Sequence, residues 1–253
     1  MNIFRNSIIF FLILLIIHPV SAMSLALNSS WHIQFSGTQK YPTRDIFNVD
    51  LFDTSKAVIQ KIQTKWSKVI CYISAGTRED WRPDVQKFPA STLGNTVDGW
   101  KWENWIDVRN TTVQKIMQSR MDLAKSKWCD GIDPDNVNGH ENNTGFNLSS
   151  KDMIKYNQFL VIEAHKRGLL IGLKNSQSLL PSIGKNYDFF INESCYTYNE
   201  CDAYSKMIQL WKPVIIMEYT GIRKDWCRRA KSSGFVLQYF SLDLSGTSRE
   251  CSK

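Results

Sequence analysis

The chain has 253 residues, with 31 Lys and Arg against 24 Asp and Glu, for a formal charge of +7. The basic residues are dispersed, and their densest group, Arg223, Lys224, Arg228, Arg229 and Lys231, has the spacing of one solvated helix face, so the charge is no sign of nucleic-acid binding. Beyond the first residues no segment reaches the ~20 apolar residues of a membrane span, and no membrane partner is expected.

Arg5, an apolar run over 8–17 and the small residues of Val20-Ser21-Ala22 have the pattern of a secretory signal peptide over 1–22. Its removal takes away only Arg5 and leaves a charge of +6. Residues 23–253 contain no linker or repeat, so one secreted, monomeric domain is expected. Six cysteines in a secreted chain favour disulfides. Locality suggests Cys195 with Cys201, Cys227 with Cys251, and hence Cys71 with Cys129. Sequons stand at Asn28, Asn110, Asn142, Asn147 and Asn192, the last expected to be too buried for glycosylation.

Eight short apolar runs follow in chain order, at 31–35, 47–51, 69–73, 131–133, 169–173, 188–191, 214–217 and 235–239. Helical spacing fills 55–66, 112–127, 150–166 and 224–232, with an N-cap pattern at Ser149 and a terminating Gly168. Strands interleaved with helices imply a parallel sheet. Eight of them in about 230 residues predict an α/β fold of the closed (β/α)8 TIM-barrel type, with a doubly wound open sheet as the alternative.

The most informative stretch is Cys129-Asp130-Gly131-Ile132-Asp133-Pro134-Asp135-Asn136. Pro134 holds Asp133 extended and cannot donate to a ladder, so a turn is expected there, with acids at the carboxyl end of a strand. Asp107, Glu193 and Glu218 close comparable runs, and such strand ends form the mouth of a parallel barrel. Other grammars fail. There is no Gly-x-Ser-x-Gly elbow, no His-Glu-x-x-His and no Cys-x-x-Cys, and Val137 and Asn138 spoil a calcium loop, so no metal or cofactor is expected.

Val49-Asp50-Leu51-Phe52-Asp53, Cys71-Tyr72-Ile73-Ser74-Ala75-Gly76, Trp81-Arg82-Pro83-Asp84, Trp105-Ile106-Asp107-Val108-Arg109, Cys129 to Asn138, Gly172-Leu173-Lys174-Asn175, Asn192-Glu193 with Cys195, and Glu218-Tyr219 occur in the order seen in glycoside hydrolase family 114. The chain resembles that family from about Trp31 to Cys251. The resemblance implies a (β/α)8 fold and endo-α-1,4-polygalactosaminidase activity on a cationic galactosamine polymer. One departure is Ser176, where family members commonly carry Asp, which bears on subsite preference.

Glycoside hydrolysis needs two carboxyl groups. By analogy with other barrels, Asp133 is the expected nucleophile and Glu193 the expected acid/base, with Asp135 and Glu218 as their competitors. Asp50, Tyr72, Asp107, Asn136, Lys174 and Tyr219 are the expected substrate-binding residues. Lys174 is suited to bonding sugar hydroxyls or lowering a carboxylate pKa, and equally to a plain salt bridge. Trp100, Trp102, Trp105, Tyr196 and Tyr198 join Tyr72 and Tyr219 as candidate stacking surfaces. The cleft is expected to be acidic within a basic protein. The rival reading is a secreted carbohydrate-binding protein that has lost turnover.

Overall fold

The computed structural model describes residues 24–251, and the expected signal peptide lies outside the described residues. In chain order the elements are β1 (Trp31–Gln34), β2 (Ile46–Asp50), α1 (Lys56–Gln63), β3 (Lys68–Ser74), β4 (Thr77–Glu79), β5 (Leu93–Val97), β6 (Trp100–Ile106), α2 (Thr111–Ser126), β7 (Gly131–Asp135) and α3 (Ser150–Lys166). There follow β8 (Leu170–Lys174), α4 (Leu180–Ile183), β9 (Phe189–Glu193), α5 (Ser205–Gln209), β10 (Val214–Glu218), α6 (Lys224–Ser233), β11 (Val236–Phe240) and β12 (Ser248–Glu250).

The sheet order is β1-β2-β3-β7-β8-β9-β10-β11-β12, parallel except for β12, which runs antiparallel to β11. The eight parallel strands are the eight expected runs, curled into a (β/α)8-type barrel. No ladder joins β11 to β1 among the described residues; the seam is crossed by the Gln238 amide, which donates to the Trp31 carbonyl at 2.9 Å. At the mouth of the same seam Phe35 N–H donates to the Leu244 carbonyl at 2.9 Å.

A second, three-stranded antiparallel sheet in the order β4-β6-β5 projects between β3 and α2. It was not anticipated, because Lys101, Glu103 and Asn104 break the apolar pattern of Trp100–Ile106, whose end at Asp107 reads like a barrel strand. All three expected disulfides are present, Cys71–Cys129, Cys195–Cys201 and Cys227–Cys251. The first ties β3 to the turn before β7, and the last straps the tail to α6.

Strand alternation sets which side chains reach the barrel interior. Along β10, Ile215 and Met217 pack inward with Trp31, Ile33, Ile46, Ile70, Phe189 and Ile191, while Val214 and Ile216 pack outward against the helices. Inward residues near the strands' amino ends are thus apolar, and those at the carboxyl ends are polar. Buried apolar floors of this kind contribute roughly 25 cal/mol per Å² removed from water.

Local signals work as expected in α3, where the Ser149 hydroxyl accepts from Asp152 N–H and the Asp152 carboxylate accepts from Ser149. Gly168 follows that helix in the left-handed region at φ +65°, as does Gly234 after α6 at +75°. At three comparable helix-to-strand turns the left-handed residue is a tryptophan: Trp66, Trp128 and Trp211, at φ 65°, 72° and 59°. Trp66 is 95% exposed.

Candidate active site

One correction concerns Pro134. The strand does not turn there but continues to Asp135, because its ladder with β3 runs on through Ile73↔Pro134 and Ser74↔Asp135. Pro134, which lacks an N–H, stands beyond the ladder with β8, which ends at Ile132. The turn comes at Asn136, which is left-handed at φ 61°. Gly76 has to be glycine beside it, since a Cβ there would lie 1.7 Å from the Asn136 carbonyl oxygen. Asp133 and Asp135, two residues apart, therefore both point inward at successive depths.

The upper layer lines a cleft of about 730 Å³ at the strands' carboxyl ends. Asp135, Glu193, Lys174, Asn136, Tyr72, Tyr219 and Asp50 all face it. The Lys174 ammonium is at its centre, 3.6 Å from Asp135 Oδ2 and 3.6 Å from Glu193 Oε2. Those two oxygens thus lie at most about 7.2 Å apart. Tyr219 donates its hydroxyl proton to Glu193 Oε1. The Asn175 amide donates to Glu193 Oε2 at 3.2 Å and accepts from the Glu193 N–H at 2.9 Å. Asp135 accepts from the Asn136 N–H at 2.8 Å.

Charges in so small a volume govern one another. Burial pushes Glu193 upward, but the Lys174 ammonium and the Tyr219 and Asn175 donors outweigh it and leave its pKa below the usual carboxylate value. Burial also raises Asp135, and there Glu193's charge adds to burial, so the raised direction survives Lys174. Burial opposes charge on Lys174, yet Asp135, Glu193 and Asp133 hold its pKa well up. Glu193 is thus the stronger acid of the two and Asp135 the weaker.

Asp133 is fully buried and does not line the cleft. Its Oδ2 accepts from the Asn48 amide at 2.8 Å and lies 3.9 Å from Lys174 Nζ, while its Oδ1 and Asn48 Oδ1 are both buried without a donor. One proton on Asp133 would complete an acid–amide pair. Burial, with Asp135's charge, raises its pKa to about 6, in keeping with that role. Asp133 is a floor residue beneath the site.

Glu218 points the other way. It has the parity of Val214 and Ile216, faces the helix layer, and accepts from the N–H groups of Tyr196 and Thr197 and from the Thr197 hydroxyl at 2.7 Å. With Cys195–Cys201 it fastens the loop after Glu193. Asp107 also falls outside the cleft, because its run belongs to antiparallel β6 and not to the barrel. It pairs with Arg109 at 2.8 Å, whose hydrogen bonds hold its pKa down. Asp50 reaches the cleft already engaged, with Arg82 donating to both its oxygens at 3.0 and 2.6 Å.

Of the expected aromatics, Tyr72, Trp100, Trp105, Tyr198 and Tyr219 line the cleft. Tyr196 instead stacks on Trp226 at 5.6 Å, and Trp102 is exposed outside the cleft. Trp81, Glu79 and Glu103, which sequence reasoning passed over, form a side wall on the small sheet. Their signal was the Glu79-x-x-Arg82 spacing and the alternation of Lys101, Glu103 and Trp105. Among the described residues no group of acids, histidines and cysteines has the arrangement of a metal site. The buried Asn192 carries the sequon expected to be inaccessible.

The chain is similar to Aspergillus fumigatus Ega3, solved in complex with galactosamine, with 36% identity over 90% of this chain and 97% of that one and a TM-score of 0.86. The glycoside hydrolase domain of Pseudomonas aeruginosa PelA shares the fold at 11% identity, with 87% and 98% coverage and a TM-score of 0.69. No curated protein matches the chain significantly. The sequence profile of glycoside-hydrolase family GH114 matches residues 18–253, almost the whole chain and all of the barrel with its cleft. This chain therefore belongs to glycoside-hydrolase family GH114.

Proposed function

We propose that this protein is a secreted endo-α-1,4-polygalactosaminidase in which Asp135 and Glu193 are the catalytic pair. The observation that carries the pair is geometric: both carboxylates enter the cleft and bracket one ammonium at 3.6 Å each. The bound of about 7.2 Å on their facing oxygens admits the ~5–5.5 Å separation of retaining enzymes, and retention is the mode proposed. The galactosamine bound to Ega3 and the predominance of carboxylates around the cleft support a cationic amino-sugar polymer as substrate. The signal-peptide pattern and three disulfides support secretion. Tyr219 and Trp100 offer ring faces to sugars.

The opposite directions of the two shifts, Asp135 raised and Glu193 lowered, support a division of roles. Asp135 protonates the glycosidic oxygen as the C1–O bond breaks, and Glu193 forms a bond to C1 from the opposite face. Water then attacks C1, gives a proton to the Asp135 carboxylate and releases Glu193. This division reverses the one expected by analogy, and it replaces Asp133 with Asp135. Asp135→Asn and Glu193→Gln each lower hydrolysis of deacetylated α-1,4-galactosamine polymer at least 100-fold, the usual scale for loss of an acid or base. NMR of the first-formed product shows the α anomer. With azide, Glu193→Ala yields a β-glycosyl azide and Asp135→Ala an α-glycosyl azide. Exchanged anomers would return the nucleophile to Asp135, and wild-type binding without turnover would favour the carbohydrate-binding reading.

A further inference from the structure

The small sheet contains a charge arrangement that the catalytic reading leaves unexplained. Glu79 and Glu103 are direct cross-strand partners in the antiparallel β4–β6 ladder, both are buried, and both line the cleft. Like charges opposite one another destabilise a ladder. Glu79 is neutralised by Arg82, which donates to its two oxygens at 2.7 Å each. Glu103 has no such relief: it is 8% exposed, and among the described residues it forms no ion pair. Its one hydrogen bond is from the Thr77 hydroxyl to Oε2 at 3.0 Å, which leaves Oε1 without a protein donor. It is the one buried carboxylate of the cleft with no basic residue in salt-bridge contact among the described residues.

Its surroundings match a charged sugar. Trp105 lies two residues along the same strand face, and Trp100, 57% exposed, stands at the hairpin end on the cleft. Thr77 also receives the Asn136 amide at 3.3 Å, which places the Glu103 carboxylate two hydrogen bonds from the turn that holds Asp135. We propose that Glu103 is an ammonium-binding residue: it receives the 2-ammonium of a deacetylated hexosamine in a subsite walled by Trp100 and Trp105, beside the Asp135–Glu193 pair. This rests on the galactosaminidase reading and adds to it a residue that selects which units flank the cut. A uronic or neutral sugar brings no cation, and an N-acetyl group cannot replace the ammonium.

The groups facing Glu103 are Glu79, Asp135 and Arg82. Burial first, then Glu79's charge, push its pKa up to about 7. An arriving ammonium would therefore draw out a proton near neutral pH.

The test uses galactosamine tetramers, fully deacetylated or fully N-acetylated, with wild type, Glu103→Gln and Glu103→Asp. Kinetics give kcat and KM. Calorimetry in two buffers of different ionisation enthalpy, on a Glu193→Gln background, gives affinity and proton release for uncut ligand. Glu103→Gln should raise KM for the deacetylated tetramer about 10- to 100-fold, the scale of a hydrogen bond to a charged group. It should change kcat less than about threefold, leave the acetylated tetramer unaffected and measurably lower proton release. Glu103→Asp, which keeps the charge, should retain proton release at intermediate affinity. Unchanged KM and proton release in Glu103→Gln, or equal damage in both variants, would overturn the assignment. A wild type that binds the deacetylated tetramer with proton release but cuts nothing would overturn the proposed function alone.

Discussion

Lys174→Met removes the ammonium shared by Asp133, Asp135 and Glu193 and keeps much of the side chain's volume. At an effective dielectric of ~20, a unit charge 3.6 Å from a carboxylate oxygen is worth about 4 to 5 kcal/mol, which caps the effect near 3 pKa units. Neighbouring charges commonly deliver 1 to 3 units, and that is the expected rise for Glu193. The sign follows directly. In the proposed mechanism Glu193 must be ionised to attack, Lys174 favours ionisation, and without it the acidic limb of the pH–rate profile moves to higher pH. Reducing-end release from soluble deacetylated polymer, measured between pH 3.5 and 9, should show that limb displaced upward by 1 to 3 units. At pH values below both limbs activity should fall roughly 10- to 1000-fold, with a smaller loss near pH 5 and partial recovery at alkaline pH. Titration of the substrate's amines is common to both proteins and cancels in the ratio. An acidic limb unmoved within about 0.3 units, with activity lost equally at all pH values, would refute electrostatic control by Lys174.

Two stability predictions follow from other parts of the barrel. Asp133, raised from the model-peptide value of 3.8 to about 6, binds its proton more tightly folded than unfolded, so its contribution is complete below pH 4 and is lost as pH rises through 6. Wild type should lose ~3 kcal/mol through this group between pH 4 and 8, roughly 6 to 12 °C in Tm, and Asp133→Asn should flatten that slope in calorimetric scans; an identical slope would remove Asp133 as its cause. Trp66→Gly relieves a left-handed backbone at φ 65° while forfeiting little burial, and should raise Tm by roughly 2 to 4 °C; a fall would mean that the exposed ring has a partner.

The barrel was legible because period-two apolar runs and helical spacing alternate along the chain, and all eight runs became parallel strands. Depth and direction within those strands were less legible. Asp133 and Asp135 share a face, so choosing between them requires knowing how far the ladder to β8 extends past Ile132. Glu218 reads like Glu193 in one dimension, yet the strand ends one residue later relative to its inward set, and that parity turns the carboxylate outward. Asp107 misled because an antiparallel insertion can end in the same apolar-acid pattern as a barrel strand. The Glu79–Glu103 pairing joins residues 24 apart through a hairpin whose register includes irregularities, beyond any local pattern.

The seam between β11 and β1 bears on how a polymer would reach the proposed catalytic pair. A ring laced by hydrogen bonds all round resists widening everywhere, whereas this joint has no ladder among the described residues and is crossed by side-chain and loop contacts: the Gln238 amide, Phe35 and Ser36 on Leu244, Lys40 on Thr247 and the Arg44–Glu250 ion pair. The residues at that joint, Phe35, Ser36, Leu242, Asp243 and Leu244, form one bank of the cleft. That bank is able to yield without breaking a ladder. A chain with no free end nearby can then be laid in sideways, as thread is pressed into an open-sided guide, which is the mode of entry that cutting at internal bonds requires.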